Sequence, residues 1–473
     1  MFENLKSLTK LHKNPGRDDI ISFLNISPEK LTEFEDYYKT NVLSNDTLPD
    51  NPMDINAKQA SQISHKNVSD YSVKETKTIA DRIINELILL TDIHSYDGKG
   101  LISHVQNKSY PSDLKNPVTV EEIMAIPEEI RPNLAGTLMQ KVLNLDENEA
   151  GISSLMLLKK MQETGNTKIK NQIYGCFRQG LEISDLDPLM YAIIDRNVVS
   201  FGHWFPELVA ANVDKDFFKI PKTTYVKLPI TLLQLTRNDY MSLTPTTKQI
   251  VDEWAMKVFD LDTSKEYFIK NGVYSSKFDF RNCHVYGEQE VKELGEYLLY
   301  IHFAASQMAS PLNHPCIYGP GTTNEWVVRE FISDKESNPI IYKGLSLHTE
   351  YRVFIDCDTK EVLGINPYWD PDVMKKRFDE HRDDHDEHDA IVYRAYESTL
   401  MKRYEENKDL ICKKVAELLP DLTLHGQWSL DVMQNGNDFW LIDMALAEQS
   451  AFYNKAVKLE DRRPVKENWI PEI

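Results

Sequence analysis

The sequence predicts an α+β protein in two parts: an all-helical N-terminal module, then a unit in which strands and helices interleave. Three observations carry this. Capping signatures and helical periodicity dominate up to about residue 195, with little strand signal. From about residue 217, short β-branched and aromatic runs alternate with helical segments. Glycine is scarce, 18 of 473 residues against an average usage of roughly 7%, which leans away from an all-β chain.

In the first part, "SPEKLTEFEDYY" opens a helix, with Ser27 as cap and Pro28 at the first helical position. Residues 44–70 are polar and poor in apolar side chains, and read as a linker. "SVKETKTIADRIINELILLTDIH" begins with a capping box of Ser72 and Glu75. Ile79, Ile83, Leu87 and Leu90 then line one helical face. "TVEEIM" repeats the signature from Thr119, and Pro127 and Pro132 break the helices that follow. The module is assigned to 1–195.

In the second part, 217–235 has extended, Pro-punctuated character. Strands are expected at 266–272, at 325–332, within 350–369, and in a hairpin at 428–443, "WSLDVMQNGNDFWLID". Helices are expected at about 288–307 and 389–418. This unit is assigned to 196–456, and 457–473 is left as a C-terminal tail.

The net charge of −20 argues against nucleic acid or an anionic membrane as a partner, since both need a basic surface. Five scattered cysteines include no CxxC pair, so neither a zinc site nor a disulfide framework is indicated. The N-terminus lacks the apolar run of a secretory signal, and no stretch is apolar enough to span a membrane. A cytoplasmic location is the expectation.

The residues with chemical interest sit where charge meets apolar strand. In "EYFIKNGVYSSKFDFRN", Lys270 ends a strand and is followed by a loop with Gly272, Ser275 and Ser276, then Lys277. Amines, hydroxyls and loop amides suit a polyphosphate, although a solvated loop has the same composition. No GxxxxGK[ST] pattern is present. In "EWVVREFI", an apolar strand carries Glu325, Arg329 and Glu330. It could offer backbone groups to a purine and an acid to a ribose, or be an edge strand with a charge pair. "HTEYRVFID" places Arg352 inside a strand, where its guanidinium must meet an anion, either Glu350 or a nearby aspartate, or a transferred phosphate. The terminal hairpin has Asp431 on one arm and Asp443 on the other. Buried carboxylates are costly unless paired, and a shared Mg²⁺ would make both tolerable.

The order of these pieces resembles the ATP-grasp superfamily. Within it, the chain is similar to the eukaryotic cell-division-cycle assembly factors for translation initiation and their bacterial relatives. "HWFPEL" (203–208), "IPKTTYVKLP" (220–229), Glu350-Tyr351-Arg352, Leu430-Asp431-Val432 and Trp440-Leu441-Ile442-Asp443 carry the likeness, over about 200–456. The resemblance implies two α+β subdomains clasping ATP and Mg²⁺. By motif, Lys270 and Lys277 would contact the phosphates, the 325–332 strand with Glu325, Val327, Arg329 and Glu330 would meet adenine and ribose, and Lys227 and Ser275 would also bind the nucleotide. Arg352 and Lys270 would be catalytic, and Asp431 and Asp443 would hold the metal. The implied activity is an ATP-dependent ligase that joins an unidentified carboxylate to an amine, with a peptide or protein among the candidate substrates. The alternatives are an ATP-binding assembly factor with little turnover and a phosphotransferase. Ala445 stands where the family expects an asparagine two residues after the second metal carboxylate, so a second metal would lose a ligand there, which Glu448 or Gln449 could replace.

Three further features receive structural readings. "DEHRDDHDEHDA" (379–390), with His381 and His385 four residues apart, reads as a solvated charged helix or lid rather than a metal cluster. "YWDP" (368–371) reads as core packing, and Cys412 as a buried structural thiol.

Overall fold

The structure, a computed structural model, describes residues 73–104, 197–236, 240–308, 323–380 and 387–463, with isolated positions at 27–29, 118, 122, 126–127 and 130. The elements in chain order are α1 (Val73–Leu89), β1 (Asp92–Tyr96), β2 (Leu101–His104), α2 (Phe201–Asn212), β3 (Phe218–Lys219), β4 (Thr223–Lys227) and α3 (Ile230–Leu235). Next come α4 (Pro245–Val258), β5 (Tyr267–Asn271), β6 (His284–Val285), α5 (Glu288–Lys292), α6 (Leu294–Met308), β7 (Glu325–Glu330), β8 (Ile340–Ile341) and β9 (Leu345–Ser346). The remainder are β10 (Glu350–Asp356), β11 (Glu361–Pro367), α7 (Pro371–Glu380), α8 (Glu387–Ala416), β12 (Gln427–Asn435), β13 (Asp438–Leu446) and α9 (Tyr453–Ala456).

Two sheets dominate. One has six strands in the order β2-β1-β4-β7-β5-β6, and the other five in the order β11-β10-β12-β13-β3. Pairing is antiparallel throughout the first. In the second only β13 and β3 run parallel. This mixed, mostly antiparallel arrangement is the α+β class that the pattern predicts.

Strand alternation explains how the six-stranded sheet divides its faces. Val226, Ile269, Trp326 and Val328 belong to the core shared with α1, α4 and α6. Tyr225 and Val327, one position out of phase, belong to a second core that includes Tyr351, Val353, Leu430 and Val432 of the five-stranded sheet. The two sheets therefore share packing on one side and leave a cleft at the Arg329 end of β7. Residues 340–401 add a smaller cluster built on Ile341, Trp369, Phe378 and Tyr393.

Several sequence expectations need correcting. The described part of the N-terminal module is not all helix, because β1 and β2 form a hairpin that extends the same sheet as β4. The helical reading ran through "LLTDIH", whereas α1 stops at Leu89 and a turn at Gly98, with φ +96°, reverses the chain. Ile83, Ile84 and Leu87 of α1 pack with Trp254 and Trp326, so 73–104 shares a core with the later unit. Within 217–235, only β3 and β4 are extended; α3 follows, with Pro229 just before its first residue. The 457–463 part of the expected tail is anchored at its ends: Val457 is buried and Arg463 pairs with Asp356, while 458–461 are exposed. The linker at 44–70, Ser72, Thr119, His381, His385 and the boundary near 195 lie outside the described residues.

At the α4–α6 crossing the backbones come close. The amide of Glu296 donates to Asp252 Oδ1 at 2.9 Å. A Cβ on Gly295 would lie 2.7 Å from the Val251 carbonyl oxygen, so only glycine permits this approach. Burial pushes the Asp252 carboxyl up, and the nearby Glu296 and Glu293 add to the effect although the Glu296 amide opposes it. A carboxyl raised on folding contributes stability that is present at low pH and lost as pH rises. The expected result is a decline in unfolding free energy between about pH 5 and about pH 8, and a shallower one in Asp252→Asn. Urea titrations at both pH values measure this, and an unchanged slope would contradict it.

Candidate functional site

The site begins with a row across three strands. Arg352 on β10 pairs in register with Asp431 on β12, which pairs in register with Asp443 on β13. Directly opposed residues of antiparallel strands point to the same face, so one cation and two acids stand side by side. The register shifts just after Asp431, leaving Ile442 as an extra residue on β13. That bulge turns the Ile442 carbonyl toward the other sheet, where Arg329 Nη1 donates to it at 2.6 Å.

Each acid has its own cation. Arg352 grips Asp431 with two parallel hydrogen bonds, Nε to Oδ1 at 2.8 Å and Nη2 to Oδ2 at 2.6 Å. Lys270, from β5 of the opposite sheet, donates to Asp443 Oδ1 at 3.1 Å. In this arrangement Arg352 and Lys270 are the groups that neutralise the two carboxylates.

A cleft runs alongside. Charged Lys270, Lys277, Arg329, Asp443 and Glu350 and apolar Phe268, Phe331, Leu345, Met433 and Ile442 line it together. Ser275, Glu330 and His348 also line it. It encloses about 130 Å³, below the roughly 300–1,000 Å³ of most small-molecule sites.

The electrostatics follow from crowding of opposite charges. Burial would raise the Asp443 carboxyl, but Lys270, Lys277 and Arg329 hold it below its ordinary value. Burial opposes charge on Lys277, yet Tyr368, Glu350 and Asp431 keep its ammonium above the usual lysine range. Arg352 is held up against burial by Asp431. Burial pulls Arg329 down to about 10, partly offset by Asp443, so it stays charged at neutral pH. Glu350 is pushed up to about 7 by burial and Asp431, with Lys277 and Arg352 opposing. Burial lowers His348 despite Asp334 and Glu336, which favours a neutral imidazole.

Lys270, Lys277, Ser275, Arg329, Glu330 and Asp443 thus meet at one cleft, with Arg352 and Asp431 in the same strand row. Lys227, Glu325 and Val327 do not reach it. They share a face with Arg329, but Lys227 and Glu325 are opposed at the far end of their strands, about 13 Å away at roughly 3.3 Å per residue. Val327 is buried in the inter-sheet core. The Glu325 carboxylate accepts from Ser200 Oγ at 2.7 Å and from the Gly202 amide at 2.8 Å, and so ties β7 to the start of α2. Gly272 belongs to that junction too, since a Cβ there would lie 2.2 Å from Thr323 Oγ1. Glu325→Ala is expected to cost about 2–3 kcal/mol of stability, in line with charge-assisted hydrogen bonds, with ligand affinity unchanged. Chemical denaturation beside a binding assay checks both halves.

Sequence reasoning missed Phe268, His348, Met433 and Tyr368. The first three are ordinary core types with no motif. Tyr368 was grouped with Trp369, which is indeed buried in the third cluster. Cys412 is half-buried rather than buried, and burial raises its thiol. In the acidic run, His388 is exposed while Asp389 accepts from the Tyr342 amide at 3.1 Å.

The donor set fits Mg²⁺ only with help from a ligand. Among the described residues no group of three or more His, Cys, Asp or Glu is placed to hold a metal. Two opposed aspartates match an ion that takes one or two carboxylates plus phosphate oxygens. Ala445, two residues beyond Asp443 on the same strand, supplies no donor atom.

No family model matches the sequence, and no curated protein matches it. Among solved structures, the chain is similar to C-terminally truncated Cdc123 from Schizosaccharomyces pombe, at 15% identity and a TM-score of 0.34, over 57% of this chain and 96% of that one. A second structure of Cdc123 from Schizosaccharomyces pombe aligns at 15% identity and a TM-score of 0.34, over 58% of this chain and 96% of that one.

Proposed function

We propose that the chain binds ATP with a divalent cation in the cleft between its two sheets, and that it works as an ATP-binding assembly factor with little or no turnover. The observation that carries this is the convergence of Lys270, Lys277 and Arg329 with Asp443 in one cleft that Phe268, Phe331, Leu345 and Met433 also line. Cations suit a polyphosphate, and apolar walls suit a purine. Lys270, Lys277 and Arg329 would meet the phosphates, and Asp443 and Asp431 would hold the metal. Glu330 sits at the rim beside Phe331 and Ile332, where a ribose hydroxyl could be accepted. A bound Mg²⁺ would neutralise phosphate charge and release Lys270 and Arg352 from their carboxylates.

Ala445 favours binding over ligation, because catalysis of phosphoryl transfer rests on completing the charge clamp around the phosphate. Incubation with ATP and Mg²⁺, followed by chromatography of the nucleotides, separates the readings. Retained ATP with no steady ADP production is expected. Continuous ADP and phosphate release, with amide formation on an added carboxylate and amine, would instead support the ligase.

A further inference from the structure

Tyr368 lies between β11 and α7, next to the fully packed Trp369, but its own side chain is only partly buried. Its ring centroid is 4.2 Å from Lys277 Nζ and 4.7 Å from the Arg352 guanidinium carbon. These cations arrive from different places. Lys277 opens the 3-10 turn after β5, beside the six-stranded sheet, and Arg352 projects from β10 in the other. Two like charges brought to one place repel. Asp431 and Glu350 already draw on both cations, and each further carboxylate would cancel more of the charge that an anionic ligand needs. An aromatic face attracts cations through its quadrupole and leaves their charge intact. The backbone that carries the ring is held on both sides: the Tyr368 amide donates to the Glu350 carbonyl at 2.9 Å, and the Trp369 carbonyl accepts from Tyr393 Oη at 2.9 Å.

We propose that Tyr368 is a positioning residue of the cleft, an aromatic platform shared by Lys277 and Arg352 that keeps both cations gathered for a polyphosphate. The role at the ligand rests on the nucleotide reading of the cleft; the placement of the lysine does not. The pairing of one ring with Lys277, from the turn after β5, and Arg352, from β10, also links that turn to the five-stranded sheet.

Two measurements on the full chain test it. Reductive ¹³C-dimethylation of lysines places a reporter on Lys277, assigned by its loss in Lys277→Arg. The ring shifts that methyl signal upfield in the ligand-free wild type and in Tyr368→Phe; Tyr368→Leu returns it to the ordinary lysine position. On unmodified protein, Tyr368→Phe keeps its affinity for ATP–Mg²⁺ and Tyr368→Leu loses about tenfold, the scale of a partly desolvated cation–π contact. Tyr368→Met repeats the test if Tyr368→Leu loses its thermal transition. A Lys277 signal that ignores the loss of the ring overturns the inference, as does equal ATP affinity in wild type and Tyr368→Leu. An equal loss in Tyr368→Phe overturns the platform in favour of the hydroxyl. A wild type that binds no ATP defeats the nucleotide reading and the ligand role together, while the methyl signal still decides the placement.

Discussion

Arg352→Ala is expected to destabilise the protein by about 3–5 kcal/mol, the scale for breaking a buried ion pair by removing one partner. The Asp431 side chain is 4% exposed and that of Arg352 13%, so water cannot replace the lost guanidinium. The substitution removes both hydrogen bonds at once and leaves a carboxylate inside the five-stranded sheet. Arg352→Lys should recover only part of the loss, because one ammonium cannot span both carboxylate oxygens. Asp431→Ala should be damaging for the mirror-image reason. The double variant removes both charges and should be less destabilised than the sum of the single ones, with a coupling of about 0.5–3 kcal/mol. Urea unfolding of the four proteins measures this cycle. A loss under about 1 kcal/mol in Arg352→Ala would mean that the pair contributes no more than a surface salt bridge.

Asp443→Asn should behave differently, because Asp443 faces the cleft and its side chain is 40% exposed. Asparagine keeps the shape and an acceptor for Lys270, so the fold should persist. The charge it removes is the one that a metal needs. Affinity for ATP in the presence of Mg²⁺ is expected to fall at least about tenfold, or about 1.4 kcal/mol. Without Mg²⁺ the sign reverses: a cleft with Lys270, Lys277 and Arg329 but one acid fewer attracts the bare polyanion more strongly. The signature is therefore collapse of the ratio between the two affinities rather than a uniform loss. Calorimetric titrations with and without Mg²⁺ give that ratio, and a variant with wild-type metal dependence would remove Asp443 from the metal site.

The strands from 266 onward were legible because their apolar positions alternate against charges that a core excludes unless paired. That contrast pointed to Lys270, Arg352, Asp431 and Asp443. It could not show which charge meets which, because the Arg352–Asp431–Asp443 row depends on strand register, and the bulge at Ile442 has no separate sequence signal. Along β4 and β7 the motif positions divide for a geometric reason: Arg329 and Glu330 line the cleft, whereas Lys227, Glu325 and Val327 lie toward the other end of those strands. The β1–β2 hairpin was obscured by the strong helical period that precedes it. α2 and α4 have no place in the sequence reading: Pro206 lies inside α2, and Pro245 opens α4, which Thr244 caps by accepting from the Thr247 amide at 3.3 Å. The aromatic role of Tyr368 depends on two cations distant in sequence, and no local pattern announces it.

The most direct test of the central claim is a calorimetric titration of ATP into the wild-type chain, with Mg²⁺ and then with chelator in its place. The ion-pair arrangement predicts saturable, near one-to-one binding that is tighter with the metal, since only the metal can take over both aspartates and free their cations for phosphate. No heat of binding under either condition, or an affinity indifferent to Mg²⁺, would contradict a metal–nucleotide site in this cleft.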